Sequence, residues 1–158
     1  MTNTMPAPPA GIHHLKFPVS DLARSLAWWE KVFGAERQPH WDHHLPDGTL
    51  FGYIITMPGV SCPIELRLAK GSAAALSGFD LLTLAVETQK DLEAWAAHFD
   101  AQGFENSGVL RGLLGWVLVI KDPDGTSFRL YTNETHDWDE ANADVFNPWI
   151  AALERDVI

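Results

Sequence analysis

The sequence predicts an α+β fold in which two βαβββ modules form one cupped mixed sheet with helices on its outer face. A strand pattern at residues 14–19, followed by a helix pattern, returns 67 residues later at residues 81–86. The glycines that end the two helices, Gly34 and Gly103, lie 69 residues apart, so the two copies stay nearly in register. Each helix pattern is followed by segments with the period of two that is typical of strands. The chain therefore uses one module twice.

The composition is that of one globular domain. The chain has 158 residues, of which 46% are hydrophobic, enough for one sizeable core but not for two independent domains. Its net charge of −10 would repel a phosphate backbone, which excludes nucleic acid as a partner and favours a neutral or cationic small molecule. Cys62 is the only cysteine, and no segment has the pattern of a signal peptide or the length of a membrane span. We therefore expect a cytoplasmic protein without a membrane partner.

The first module is predicted over residues 11–68, after a disordered tail at residues 1–10. Leu15, Phe17 and Val19 alternate with polar residues, which is typical of a strand with one buried face. In the helix that follows, apolar residues recur at helical spacing, so this helix covers the apolar side of the sheet. Three more strands are predicted, at residues 37–45, 49–56 and 63–68.

A short connector at residues 69–78 leads to the second module, predicted over residues 79–132. Thr88 and Asp91 have the spacing of a capping box at the start of its helix. The second module then repeats the strands of the first. Residues 133–158 form an acidic extension that ends in a short predicted helix.

Polar residues on the first and last strands of each module share the face of the sheet that the helices leave open. This face forms a concave trough, which is where a ligand is expected. The candidate ligand-binding residues in the trough are Lys16, Arg67, Thr83 and Tyr131, together with Trp116, whose strand parity is ambiguous. The candidate catalytic residues are His14, Glu65 and Arg129.

The run H-L-K-F-P-V-S-D-L-A-R-S-L-A-W-W, the distal pattern D-P-D-G-x-x-F-x-L-Y and the duplicated module together resemble the vicinal oxygen chelate superfamily. That superfamily contains glyoxalases, bleomycin resistance proteins and extradiol dioxygenases. The resemblance implies their fold, and it implies a homodimer in which both chains supply walls of the trough. It leaves the chemistry open, because the fold serves lyases, isomerases, dioxygenases and proteins that only bind drugs.

The resemblance also implies metal-ligand positions on the first and last strands of each module. In this sequence those positions hold His14, Glu65, Leu81 and Arg129. Leu81 has no donor atom, and Arg129 is a permanent cation that would repel a divalent metal. We therefore expect no metal and no other cofactor, with His14 and Glu65 as remnants of a metal site.

Three functions are compatible with this pattern. The first is binding of a small aromatic or cationic molecule in the trough. The second is a metal-independent isomerase, lyase or cyclase. In this reading Arg129 pairs with Glu65 and stabilises an oxyanion, while Glu65 or His14 moves a proton. The third is a metal-dependent glyoxalase-like lyase with ligands from other positions. A separate metal-binding face is possible where polar residues alternate on the second predicted strand, at His40, Asp42 and His44.

Overall fold

The structure, a computed structural model, describes residues 5–150 and confirms an α+β fold built from two βαβββ modules. The elements of the first module are β1 (Leu15–Val19), α1 (Leu22–Phe33), β2 (Glu36–Arg37), β3 (His43–His44), β4 (Leu50–Met57) and β5 (Val60–Leu68). A short helix, α2 (Lys70–Leu76), connects the modules. The elements of the second module are β6 (Asp80–Val86), α3 (Gln89–Ala101), β7 (Leu110–Arg111), β8 (Trp116–Lys121) and β9 (Ser127–Thr132).

Each module forms its own sheet. The strand order is β1-β5-β4-β2 in the first sheet, with β3 also paired to β4, and β6-β9-β8-β7 in the second. The first strand of each module runs parallel to the last, and the other pairs are antiparallel. β1 and β6 are edge strands that do not pair with each other in the described part of the chain. The strands that we expected in one continuous sheet are therefore divided between two.

Both long helices are bounded by side-chain or glycine caps. Asp21 accepts a hydrogen bond from the backbone N–H of Arg24 at the start of α1, and Gly34 ends that helix at a φ of 65°, which glycine adopts without steric cost. α3 begins with the predicted capping box, in which Thr88 and Asp91 each accept a hydrogen bond from the backbone N–H of the other. These caps determine the residue at which each helix begins.

The two modules share one hydrophobic core. The ring of Phe17 on β1 and the ring of Phe128 on β9 have centroids 5.3 Å apart, and Trp28 on α1 lies 5.6 Å from the same Phe128 ring. Helical spacing places Trp28 at the edge of the apolar stripe of α1, yet it is only 4% exposed because the second module covers it. Phe33 on α1 also contacts Trp95 on α3. The apolar faces of the two modules therefore point toward each other.

Hydrogen bonds join the modules at the start of α1. Asp124, in the turn before β9, accepts hydrogen bonds from the N–H of Ser20 at 2.9 Å, from its hydroxyl at 2.5 Å and from Arg24 at 2.9 Å. Asp122 in the same turn accepts hydrogen bonds from the backbone N–H groups of Asp124 and Thr126. Burial raises the pKa of Asp122 to about 6, although these hydrogen bonds act in the opposite direction.

Some segments differ from the sequence prediction. The strand predicted over residues 37–45 is interrupted by a 3₁₀ turn at Pro39–Trp41, because proline has no N–H to donate to a strand ladder. The connector contains α2. The predicted C-terminal helix is only a turn as far as residue 150, and its remainder, like residues 1–4 of the predicted tail, lies outside the described residues. No helix within residues 5–150 is long and apolar enough to cross a membrane.

Candidate functional site

The candidate site is a group of charged side chains around Glu65, on the face of the first sheet that points away from the shared core. The side chain of Glu65 is fully buried, at 0% exposure. The Nε of Arg67 donates a hydrogen bond to Glu65 Oε1 at 2.6 Å, and the Nζ of Lys16 lies 3.4 Å from Oε2. His43 Nδ1 approaches Oε1 to 3.3 Å and His14 Nε2 approaches Oε2 to 3.7 Å. The structure thus brings together the predicted residues of the first module.

The strand register explains this gathering. Lys16 is opposite Glu65 in the parallel pair of β1 and β5, and Ile54 is opposite Glu65 in the antiparallel pair of β4 and β5. Gly52 on β4 leaves space for the carboxylate, since a Cβ there would lie 3.3 Å from Glu65 Oε1 and 3.4 Å from the Cβ of His43. A larger residue at position 52 would push these two side chains apart.

Glu65 is ionised despite its burial. Burial by itself raises the pKa of a carboxyl group, but the hydrogen bond and charge of Arg67, with those of Lys16, outweigh it, so the pKa of Glu65 is lowered. A carboxylate with a lowered pKa is a weak base, and Glu65 is therefore poorly suited to take a proton from a substrate. Its Oε2 atom faces the Nζ of Lys16 at 3.4 Å and the Nε2 of His14 at 3.7 Å.

A cavity of about 370 Å³ opens beside this cluster, and we call it the first-module pocket. It is lined by His13, His14, Trp41, His43, Ile54 and Pro63. Trp41 is 50% exposed, whereas Ile54 is buried and forms part of the floor. The volume lies in the range that holds a small organic ligand, and a lining of this kind is suited to an aromatic ring.

Sequence reasoning missed His43. Regular alternation along the predicted strand puts His40, Asp42 and His44 on one face and directs His43 to the other. The 3₁₀ turn and a shift of register between His43 and His44 break that alternation, and they turn His43 toward Glu65. The proline at position 39 is the sequence feature that indicates this interruption of the strand. The same turn carries Trp41 to the pocket.

Arg129 lies on the second sheet, away from Glu65. Its Nε is 2.5 Å from a carboxylate oxygen of Asp80 on the neighbouring β6, and its Nη2 donates a hydrogen bond to the carbonyl of Ile150 at 3.0 Å. The prediction that Glu65 and Arg129 form an ion pair is wrong within a single chain. Phe128 points into the shared core, so Arg129 beside it points outward from the second sheet, while Glu65 points outward from the first.

The other predicted residues of the second module make contacts of their own. The hydroxyl of Tyr131 accepts a hydrogen bond from the N–H of Gly115 at 3.0 Å and holds the loop before β8. The ring of Trp116 packs against His136 of the C-terminal extension, with centroids 5.1 Å apart. Thr83 is exposed on the edge strand β6. None of these three side chains lies in the first-module pocket.

The C-terminal extension covers part of this second face. Asp144 accepts a hydrogen bond from the backbone N–H of Arg111 at 2.7 Å, and Asp139 forms an ion pair with the Arg111 side chain at 3.3 Å. Further along, the ring of Trp149 lies 5.0 Å from the Nζ of Lys121. A cavity of only about 30 Å³ remains between Trp149 and the start of β9. The described part of the extension is thus docked on its own chain.

A larger depression, of about 530 Å³, lies between the C-terminal end of α1 and α3. Phe33, Trp95 and His98 line it, and no predicted site residue does. His98 Nε2 lies 3.1 Å from the carbonyls of Lys31 and Val32 and thereby ties α3 to the end of α1. We therefore place the candidate site in the first-module pocket, where the charged cluster lies.

A family model described as the Glyoxalase/Bleomycin resistance protein/Dioxygenase superfamily matches residues 11–130 of the sequence. The chain belongs to this superfamily. The match runs from just before β1 into β9 and so includes both modules. A search of curated proteins found no match to this sequence.

Solved structures show the same superfamily fold. A glyoxylase/bleomycin resistance protein/dioxygenase domain from Frankia sp. EAN1pec is 21% identical, with a TM-score of 0.63 over 80% of this chain and 100% of that one. A lactoylglutathione lyase from Agrobacterium tumefaciens is 18% identical, with a TM-score of 0.62 over 80% of this chain and 96% of that one. An antibiotic binding protein from Streptomyces sp. CB03234 is 17% identical, with a TM-score of 0.61 over 80% of this chain and 98% of that one. At these identities the likeness shows the fold alone.

Proposed function

We propose that this superfamily member binds a small aromatic molecule in the first-module pocket and does so without a metal. The observation that carries the proposal is the pocket itself, about 370 Å³ in volume, with Trp41 and Ile54 as apolar walls beside a charged cluster. In small-molecule sites, apolar walls supply most of the affinity and a few placed polar groups orient the ligand. Here His14 and His43, which line the pocket and approach Glu65, are those polar groups.

Binding is favoured over catalysis by the state of the two charged residues that catalysis would use. Glu65 has a lowered pKa, which makes it a weak base. Arg129, which would have to stabilise an oxyanion, is engaged by Asp80 and by the carbonyl of Ile150. Arg129 also lies on the second sheet, away from Glu65 and His14, so the three residues do not meet at one substrate within a single chain. In the isomerase, lyase or cyclase alternative, this leaves His14 as the residue that would move a proton, without Arg129 beside it in the same chain.

The residues at the four metal positions of the superfamily do not fit a divalent metal. Leu81 offers no donor, and Arg129 brings a positive charge. The carboxylate of Glu65 already has two cations, Arg67 and Lys16, within 3.4 Å, and these would repel a metal ion. Within residues 5–150, no group of three or more His, Cys, Asp or Glu side chains is arranged to hold one. A degenerate metal site is therefore part of the proposal.

We also propose that the protein acts as a cytoplasmic homodimer. The outer faces of the two sheets point in opposite directions, so a trough with walls from both modules needs a second copy. The edge strands β1 and β6 each have one free side in the described part of the chain, and such edges pair readily with another strand. Pairing β1 of one copy with β6 of the other would complete the sheet and bring Glu65 near the partner's Arg129. Light scattering should then give twice the mass of the chain.

The test of binding is a screen of small aromatic compounds by thermal shift, followed by calorimetry on the compounds that stabilise the protein. Trp41→Ala should weaken binding by about tenfold or more, because it removes an aromatic wall of the pocket. The matched control is Trp138→Ala. Trp138 is also exposed, at 61%, but it lies in the C-terminal extension, so its loss should leave the affinity unchanged.

Two results would contradict the proposed function. Equal losses of affinity in the Trp41 and Trp138 variants would mean that the ligand does not lie in the first-module pocket. Elemental analysis of untagged protein that found about one equivalent of a transition metal per chain would contradict metal-independent binding and would favour a lyase.

A further inference from the structure

The charged cluster beside the first-module pocket has more positive than negative charge. Lys16 and Arg67 both lie within ion-pair distance of a single carboxylate, that of Glu65, which leaves one positive charge in excess. Asp42, next to His43 in the sequence, is paired with Arg37. This local excess stands against a net charge of −10 for the whole chain. A positive patch on an acidic protein attracts anions selectively to that place.

The cluster also has hydrogen-bond donors to spare. Within residues 5–150, Arg67 donates a hydrogen bond only from its Nε, to Glu65, so the two terminal nitrogens of its guanidinium have no partner in that part of the chain. The position of that guanidinium is fixed in part by the ring of Phe51, which lies 5.2 Å from Cζ. Arg67 and Lys16 are 38% and 44% exposed, so both are reachable from solvent. Free donors on two cations form their strongest hydrogen bonds with an anionic acceptor.

The spacing of these groups matches the length of a small aromatic acid. Pro63 lines the pocket, Glu65 follows on the same face of β5, and Arg67 comes next. Ile54 of the pocket lies opposite Glu65, so Arg67 stands two residues farther along β5, which is about 7 Å at roughly 3.3 Å per residue. A ring in the pocket and an acidic group directed along β5 would therefore reach Arg67. His14 and His43 bridge the interval, since each both lines the pocket and approaches Glu65.

We propose that the ligand of the first-module pocket is an aromatic acid, whose ring lies against Trp41 and Ile54 and whose anionic group binds Arg67 and Lys16. This inference rests on the proposed function and narrows it, since the net charge of the chain alone favours a neutral or cationic ligand. Arg67 supplies a planar pair of donors that matches a carboxylate, and Lys16 adds charge. Both are binding residues in this scheme, and neither has a chemical step to perform.

The test compares three naphthalene probes of one shape by calorimetry: 2-naphthoate, 2-naphthamide and the cationic 2-(aminomethyl)naphthalene. The anionic probe should bind at least about tenfold more tightly than the amide, as expected for a charge-assisted hydrogen bond to Arg67. Lys16→Gln should reduce that preference to about threefold or less, and added salt should weaken only the naphthoate complex. Lys16→Gln leaves the hydrogen bond between Arg67 and Glu65 intact, so it is the variant least prone to misfold.

Arg67→Lys serves as a second variant, since it keeps the charge but removes the planar donor pair, and it should bind naphthoate more weakly than the wild-type protein does. If the amide or the cation binds as tightly as naphthoate while Trp41→Ala weakens all three, the aromatic-acid inference is overturned and the proposed pocket stands. If Trp41→Ala changes the affinity of none of the probes, both are overturned.

Discussion

Asp122 is a buried carboxyl group whose ionisation opposes folding. Its folded-state pKa of about 6 lies above the ordinary value of 3.8, chiefly because it is buried. The folded protein therefore holds this proton more tightly than the unfolded chain does. The stability gained in this way is complete below about pH 4 and is lost as the pH rises through about 6.

We predict that Asp122→Asn raises the melting temperature at neutral pH and leaves it unchanged near pH 4. Asn keeps the Oδ1 acceptor that binds the N–H groups of Asp124 and Thr126, and it removes the charge. The gain at neutral pH should be at most about 3 kcal/mol, the value of a shift of about two pKa units. Thermal unfolding from pH 4 to 8 measures it, with the exposed Asp137→Asn as control. A gain that is equal at both ends of the range would rule out this role for the Asp122 charge.

Some residues of the site could be predicted from strand alternation alone, and others depend on local breaks in that alternation. His14, Lys16, Glu65 and Arg67 could be predicted because β1 and β5 are regular strands, in which alternation decides which side chain faces the site. His43 could not, because its orientation depends on a 3₁₀ turn and a register shift that break the alternation. Alternation also placed Arg129 correctly on the outer face of its own sheet, but it could not supply Asp80 as its partner.

The loop between β7 and β8 is held by close packing around two glycines. A Cβ at Gly115 would lie 2.7 Å from the Oγ1 of Thr132 and 3.0 Å from the backbone oxygen of Glu134. A Cβ at Gly112 would lie 2.5 Å from the hydroxyl oxygen of Tyr131. Both distances are shorter than ordinary van der Waals contact, so any larger residue must displace its neighbours. This packing accounts for the close fit of Tyr131 under the loop.

We predict that Gly115→Ala lowers the free energy of unfolding by about 1 to 3 kcal/mol, because part of the clash is with backbone that cannot move away. Gly71→Ala is the matched control. Gly71 lies in α2 with nothing within 4 Å of the added Cβ, and alanine there should stabilise the helix by up to about 1 kcal/mol. Urea denaturation distinguishes the two. Equal effects of the two substitutions would show that the loop between β7 and β8 adjusts to the added methyl group.

At the scale of the whole molecule, the contact between Phe17, Trp28 and Phe128 joins the two modules in one hydrophobic core. The repeat in the sequence predicted the modules but not the direction in which they face each other. That direction is set by side chains more than a hundred residues apart, such as Ser20 and Asp124. The pattern within each module is the same for either arrangement, so the sequence pattern alone predicted one sheet where the chain has two.

We predict a single unfolding transition in calorimetry for the wild-type protein and for Phe128→Ala. The variant should lose about 3 to 5 kcal/mol, the cost of emptying a fully buried aromatic site, and its transition should move to lower temperature without splitting. Phe146→Ala, at an exposed phenylalanine of the extension, should move it little. Two separate transitions in the variant would mean that the modules fold independently of each other.

The shared core also explains why two modules on one chain are more stable than one module alone. A single module would leave the apolar face around Phe17 or Phe128 exposed to water, so it would be stable only when paired with another module. Two separate short chains meet at whatever concentration the cell maintains, whereas two modules on one chain meet at an effective concentration in the millimolar range. Duplication in tandem thus turns an association that dilution can reverse into one that it cannot. The two copies are then free to diverge, as Glu65 and Arg129 have done at equivalent positions.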